Sequence, residues 1–172
     1  MQNFQEFLEN SLQQNIKKLV PLTGGASADI NRIILENNNE LIVRRSLSKE
    51  QSVMAVPKKL EAKIQRIVRS NDAPVPEIIF EFSEDEDIGE GYVMEAIPGE
   101  TIPRKILRDD KYKNVRSKLS FEIGRSLATI HQTKLDELTD LDSVTFEETL
   151  KKLYLVYCLL YTSDAADDVV GV

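Results

Sequence analysis

A short turn with two glycines is the first place in the sequence that suggests chemistry. Thr23-Gly24-Gly25-Ala26-Ser27 follows an apolar segment and precedes one rich in β-branched residues. Glycines adopt backbone angles that other residues avoid, and exposed backbone N–H groups at such a turn can bind phosphate oxygens. Ser27 would add a hydroxyl donor. An ordinary hairpin turn has a similar composition, so Gly24, Gly25 and Ser27 indicate a phosphate site only together with other residues.

Two charged residues further along suggest an ion pair beside a ligand. Arg44 lies in the apolar segment LIVRRS, on the same face of a predicted strand as Ile42, whereas Arg45 points to the other face. A guanidinium in mid-strand needs an anionic partner and can bind phosphate through two nitrogens. Glu61 borders the apolar stripe of a predicted helix, three residues before Ile64. We therefore predict an Arg44–Glu61 pair, although the spacing also fits two solvated surface charges.

The single histidine and the single cysteine point to no further chemistry. His131 follows Ile130 near the predicted end of a helix, where packing or capping is the more common role for histidine than that of a base. Cys158 has no internal disulfide partner, and no zinc-ligand spacing is present. We identify no catalytic residue and no metal ligand in the sequence.

Apolar periodicity predicts the elements that must position these residues. The predicted elements are, in order, an amphipathic helix over residues 3–18, strands over 28–35 and 41–45, a helix around 60–68, strands over 77–82 and 91–97, and helices near 115–133 and from 146 onward. Most strands lie in the N-terminal part of the sequence and only helices follow, which predicts an α+β fold with two lobes. The boundary is expected near Pro98-Gly99, and the order of elements is that of a kinase-like N-lobe.

Composition indicates a globular protein and argues against several partners. The chain has 172 residues, of which 41% are hydrophobic and 30% charged, with a net charge of −7. This acidic balance disfavours nucleic acid and anionic membranes as partners. There is no secretory signal pattern and no apolar stretch long enough to span a bilayer. We expect a cytoplasmic protein, and the sequence indicates no specific protein partner.

Several motifs together resemble the aminoglycoside phosphotransferase-like family, which phosphorylates hydroxyl groups of small molecules. They are LTGGASADINRI, LIVRRS, APVPEII, GYVMEAIPGETIPRKILRD and GRSLATIHQ, spread from Val20 to Lys134. The resemblance implies a protein-kinase-like two-lobe fold. Residues 1–98 would be a nucleotide-binding N-lobe with an antiparallel sheet and helices, and residues 99–157 the first helices of a C-lobe. It also implies ATP and Mg²⁺ as cofactors and a small-molecule acceptor as the partner.

The resemblance assigns roles to single residues of the N-lobe. Arg44 would take the position of the strand lysine of protein kinases, with Glu61 as its ion-pair partner. Met94 would lie at the back of the adenine pocket, and the backbone of Glu95 and Ile97 would bind the adenine edge. The glycine turn would be the nucleotide-phosphate loop. The implied nucleotide-binding residues are thus Gly24, Gly25, Ser27, Arg44, Glu61, Met94, Glu95 and Ile97.

The family's catalytic loop has no counterpart in the sequence. That loop has the form H-G-D-x-x-x-x-N and precedes a metal-binding aspartate, whereas His131 is followed by Gln132 and Thr133. The resemblance therefore implies an inactive fragment of an ATP-dependent phosphotransferase that lacks the catalytic aspartate and both metal ligands. A non-catalytic nucleotide-binding module or pseudokinase is the alternative. A relative of choline- or homoserine-type kinases also fits.

The last 15 residues differ in character from the rest of the chain. Codons can be chosen for Cys158 to Asp168 that reproduce, base for base, a common transposase-type sequencing adapter. We therefore expect residues 158–172 to be translated adapter rather than natural protein sequence.

Overall fold

The computed structural model describes residues 4–22, 29–47, 56–83, 87–134, 136 and 145–164. The chain divides into two compact units, Met1–Glu137 and Leu138–Val172. The first unit holds the sheet and four helices, and the described part of the second is one helix. The predicted lobe boundary near Pro98-Gly99 stays a prediction.

The sheet has five antiparallel strands in the order β1-β2-β3-β5-β4. The elements are α1 (Phe4–Leu12), β1 (Ile16–Pro21), β2 (Asp29–Leu35), β3 (Glu40–Ser46), α2 (Lys58–Ser70), β4 (Ile78–Ser83), β5 (Glu90–Glu95), α3 (Pro103–Arg108), a 3₁₀ turn (Asp110–Tyr112), α4 (Lys113–His131) and α5 (Phe146–Asp164). The predicted α+β class is confirmed, and the sheet with its helices is that of a kinase-like N-lobe.

The first predicted helix is wrong in its second half. Helix α1 ends at Leu12, and Gln13 follows with a φ of 52°, a left-handed angle that commonly ends helices. Ile16 then starts strand β1, and its N–H donates to the Glu9 carboxylate at 3.0 Å. Ile16 continues the helical spacing of apolar residues, which is why periodicity alone extended the helix to residue 18.

One face of the sheet packs against α1 and forms the main core. The fully buried side chains there are Leu8, Ile33, Val43 and Val93. The ring of Phe82 on β4 lies 5.2 Å from that of Phe7 on α1. Apolar burial is the dominant stabilising term in folding. The core between α1 and the sheet therefore holds the sheet in place, and the other face of the sheet is the one that carries Arg44.

Arg45 anchors α1 to the sheet from that same side. Its guanidinium carbon lies 3.6 Å from the centre of the Phe4 ring, and its Nε donates to the Asp29 carboxylate at 2.8 Å. A guanidinium over an aromatic face is a favourable cation–π contact. The prediction that Arg45 and Arg44 point to opposite faces is confirmed.

None of the buried residues of this core belongs to helix α4. Helix α4 carries exposed apolar side chains, among them Phe121, Ile123 and Leu127. Within the described part of the chain, no helix is both long and apolar enough to cross a bilayer.

Gly91 is a position where any side chain should destabilise the sheet. A Cβ there would lie 2.6 Å from the Arg44 carbonyl oxygen and 2.6 Å from the Phe82 ring. We expect Gly91→Ala to lower the free energy of unfolding by about 1–3 kcal/mol, as overpacking does. Gly124 in α4 has nothing within 4 Å, so Gly124→Ala should raise it by about 0.5–1 kcal/mol. Urea denaturation measures the free energy of unfolding of both variants. An equal change of this free energy in Gly91→Ala and Gly124→Ala would contradict the close packing at Gly91.

Candidate functional site

The sheet face opposite α1 is only partly covered by a helix. Helix α2 packs on β4 and β5, which lie at one edge of the sheet. Directly opposed residues of antiparallel strands point to the same face. Arg44 opposes Ile30 on β2 and Tyr92 on β5, while Ile42 opposes Met94.

The strands outside the reach of α2 carry apolar side chains on this face, together with the exposed Arg32, which pairs with Glu40 at 3.6 Å. Arg32 opposes both Val20 and Ile42, so Val20 and Ile42 share the face of Ile30. All three side chains are half-buried. We call Val20, Ile30, Ile42 and Arg44 the open face. Its apolar members were not among the predicted site residues, although strict alternation with Arg44 along β3 would have indicated Ile42.

The predicted Arg44–Glu61 pair is present at the border between the open face and α2. Arg44 Nε donates to Glu61 Oε2 at 3.0 Å, and the two side chains are 27% and 24% exposed. The terminal nitrogens Nη1 and Nη2 of Arg44 have no hydrogen-bond partner in the described part of the chain. The guanidinium therefore has two terminal nitrogens, with four N–H donors, left for a ligand.

Glu61 has two further partners that the sequence reasoning missed. Lys58 Nζ donates to Glu61 Oε1 at 2.8 Å, and the Tyr92 hydroxyl donates to Glu61 Oε2 at 3.2 Å. The Lys58 side chain is only 6% exposed. Burial opposes ionisation of Glu61, but the hydrogen bonds and charges of Lys58 and Arg44 outweigh it and hold the pKa of Glu61 below its ordinary value.

Tyr92 should titrate later than an ordinary tyrosine. Burial, followed by the charge of Glu61, raises the pKa of Tyr92 to about 12 from 10.0. A raised pKa contributes stability that is complete below pH 10 and is lost as the pH rises through the folded value. In a phenolate absorbance titration we expect one of the five tyrosines to ionise near this pH. Tyr92→Phe should remove that step, and simultaneous ionisation of all five would contradict the burial of this hydroxyl.

The residues predicted for the adenine pocket lie at the end of β5. Met94 packs against Ala62, Ile78 and Tyr92, and Gln65 of α2 donates to its sulfur at 3.8 Å. This places Met94 where α2 meets the sheet, next to the open face.

Glu95 and Ile97 continue the chain beyond Met94. The Glu95 N–H donates to the Glu77 carbonyl at 2.9 Å, so that amide is already used within the protein. Ile97 is 57% exposed, and its backbone groups have no hydrogen-bond partner among the described residues. Of the backbone groups predicted to bind adenine, the Glu95 N–H is thus excluded, whereas the Glu95 carbonyl and Ile97 keep their predicted role.

The other residues singled out in the sequence are the glycine turn and His131. Gly24, Gly25 and Ser27 lie outside the described residues. His131 ends helix α4 and is exposed. Over the described ranges, no group of three or more His, Cys, Asp or Glu side chains is arranged to hold a metal ion.

Comparison with known proteins gave one finding. A model of a family described as the phosphotransferase enzyme family matches residues 18–160. The match begins inside β1 and extends into α5, so it includes most of β1 and the whole of the other four strands. A search of curated proteins gave no match.

Proposed function

The chain belongs to the phosphotransferase enzyme family, and on that basis we propose that it binds ATP as the nucleotide-binding part of an enzyme that phosphorylates a hydroxyl of a small molecule. The observation that carries the proposal is the Arg44 guanidinium. Glu61 binds its Nε and leaves both terminal nitrogens available at the border of an apolar surface. A charged fork beside apolar side chains matches the two parts of ATP, a phosphate chain and an aromatic base.

The apolar part of the open face supports a place for the base. Val20, Ile30 and Ile42 form a half-buried apolar strip on three adjacent strands, bordered by Arg32, which lies between Val20 and Ile42. Burial of one face of a purine against such side chains is favourable at about 25 cal/mol per Å² of apolar surface. The Glu95 carbonyl would accept from the exocyclic amine of adenine, and the Ile97 N–H would donate to a ring nitrogen.

The phosphate chain is proposed to run from the base toward Arg44. Residues 23–28 join β1 to β2 and enter β2 beside Ile30, which opposes Arg44. Backbone N–H groups at Gly24 and Gly25 and the Ser27 hydroxyl would bind phosphate oxygens from the other side. Arg44 would stabilise negative charge on the phosphate chain, which is the main protein contribution in phosphoryl transfer.

Binding of ATP by the full chain, measured by isothermal titration calorimetry against adenosine and tripolyphosphate, tests this proposal. We expect ATP to bind more tightly than either part alone, since it engages both the apolar strip and the guanidinium. Equal affinity for ATP and adenosine would contradict the phosphate role of Arg44. Absence of ATP binding would overturn the proposed function.

We further propose that this chain binds nucleotide without transferring phosphate. Its 172 residues contain no H-G-D-x-x-x-x-N segment, which in the family orients the acceptor hydroxyl and binds metal. Incubation with ATP, Mg²⁺ and a panel of hydroxyl compounds should yield no phosphorylated product. Product formation above a no-protein control would show that catalytic groups exist elsewhere in the chain.

The same absence favours a second candidate, a nucleotide-binding module that has no catalytic role. The reading frame of the parent gene distinguishes the two: an H-G-D-x-x-x-x-N segment soon after residue 157 supports the enzyme, and a stop codon supports the module.

A further inference from the structure

Glu61 is a single carboxylate shared by two cations. Lys58 occupies Oε1 and Arg44 occupies Oε2. Neither cation has another hydrogen-bond or ion-pair partner in the described part of the chain. The nearby Glu90 carboxylate accepts from the Lys59 backbone N–H at 2.8 Å, at the first turn of α2. Two cations against one carboxylate leave a positive charge that an anion would neutralise.

Lys58 is an unusual residue to bury. Lysine is almost never fully buried unless paired, and its desolvation is offset here by one contact of 2.8 Å with Glu61. Lys58 is the first residue of α2, and Glu61 lies three residues later in the same helix, so the contact is an i,i+3 pair within α2. The burial makes direct contact between Lys58 and a ligand unfavourable, so an effect on binding must pass through Glu61.

Lys58 and Arg44 each bind a different oxygen of the Glu61 carboxylate, and this determines how the Arg44 guanidinium is held. Carboxylates commonly bind arginine through both oxygens and two nitrogens of the guanidinium. Because Lys58 occupies Oε1, Arg44 is engaged through Nε alone. Without the amine, Oε1 would be available to a terminal nitrogen of Arg44, which would draw the fork away from the open face.

We propose that Lys58 is a positioning residue for the nucleotide phosphates, which keeps the terminal nitrogens of Arg44 available by occupying Oε1 of Glu61. This inference rests on the proposed function, because it assumes that the anion bound by Arg44 is the phosphate chain of ATP. Lys58 and Arg44 together leave each oxygen of the Glu61 carboxylate with a cationic donor.

Lys58→Met is compared with Lys59→Met, which removes the same charge from the exposed neighbouring residue. We expect Lys58→Met to raise the Kd for ATP about tenfold, equivalent to about 1.4 kcal/mol, while the Kd for adenosine is unchanged. Lys59→Met should bind both like the unmodified chain. In an Arg44→Met background, Lys58→Met should have no further effect on ATP binding, because residues that act through one another are non-additive.

If the unmodified chain binds ATP, the proposed function stands, and three results would then overturn the inference about Lys58 alone. They are equal Kd values for ATP in the Lys58 and Lys59 variants, equal weakening of ATP and adenosine, and an undiminished effect in the Arg44→Met background. Thermal unfolding of each variant establishes that it is folded. If Lys58→Met does not fold, Lys58→Ala, which also leaves Oε1 unoccupied, is judged by the same three criteria. Failure of the unmodified chain to bind ATP overturns the proposed function and this inference with it.

Discussion

Arg44→Met is expected to weaken ATP binding by about a hundredfold and to leave adenosine binding nearly unchanged. The two terminal nitrogens of Arg44 would each donate to a charged phosphate oxygen, and hydrogen bonds to charged groups contribute about 1.5–3 kcal/mol each. Loss of two such bonds, about 3 kcal/mol at the lower end, corresponds to about two decades of Kd. Calorimetric titration with both ligands measures the effect.

Arg66→Met is the matched control for this prediction. Arg66 lies on α2 in an exposed ion pair with Glu81 at 3.2 Å. The Arg66→Met substitution therefore removes the same charge as Arg44→Met, but at a position away from the open face. Its Kd for ATP should stay within about twofold of the unmodified chain, since exposed pairs contribute about 0–1 kcal/mol. Equal losses of ATP affinity in the two variants would show that net charge, and not the guanidinium fork, accounts for binding.

Glu61→Ala is expected to lower both the stability of the chain and its affinity for ATP. Removing the carboxylate leaves the Lys58 amine, 6% exposed, without a counter-charge. Loss of one partner of a buried pair typically destabilises by about 3–5 kcal/mol, and we expect the lower end of that range because Glu61 is partly exposed. Arg44 would also lose the contact that orients its guanidinium, so ATP binding should weaken. Urea denaturation and calorimetry measure the two effects.

The double variant Lys58→Met/Glu61→Ala separates an unpaired charge from lost packing. It should be more stable than Glu61→Ala alone, because neither charge then remains buried without a partner. Glu81→Ala, which breaks an exposed pair, should change stability by at most about 1 kcal/mol. A double variant no more stable than Glu61→Ala would contradict the view that Lys58 depends on this carboxylate, and unchanged ATP affinity in Glu61→Ala would make Glu61 a surface charge.

The lowered pKa of Glu61 also predicts how this contribution depends on pH. A carboxyl whose folded pKa lies below its ordinary value of 4.5 stabilises the fold fully above that value, and the stabilisation is lost as the pH falls through the folded pKa. The stability difference between the unmodified chain and Glu61→Gln should therefore shrink on acidification below the ordinary carboxyl pKa. A difference that grows in acid would contradict the ion pair.

The sequence allowed the Arg44–Glu61 pair to be predicted because both residues break a local rule. A cation in mid-strand and an acid at the border of an apolar stripe each need a partner, and the order of elements brings them together. Lys58 could not be found in this way, since lysine at a helix start is ordinarily solvated and only the packing of α2 on the sheet buries it. The sequence could have indicated that Tyr92 lies on the same face as Met94, because the two residues alternate along β5. It could not indicate that Tyr92 pairs with Arg44 on β3.

Strand β1 could not be predicted from the local sequence pattern. Leu12, Ile16 and Leu19 fit a helical period, and only pairing with β2 distinguishes a strand from a longer helix. The open face depends on that strand through Val20, so its apolar strip was not visible from the sequence. Long-range pairing, rather than local propensity, decided both points.

The central claim is that ATP binds on the open face of the sheet, and isoleucine methyl NMR with increasing ATP tests it most directly. The account predicts saturable shifts of the Ile30 and Ile42 methyl groups, which lie on that face. Ile16 and Ile33 lie on the α1 side of the sheet and should shift little. No saturable shift of Ile30 and Ile42, or larger shifts at Ile16 and Ile33, would contradict the claim.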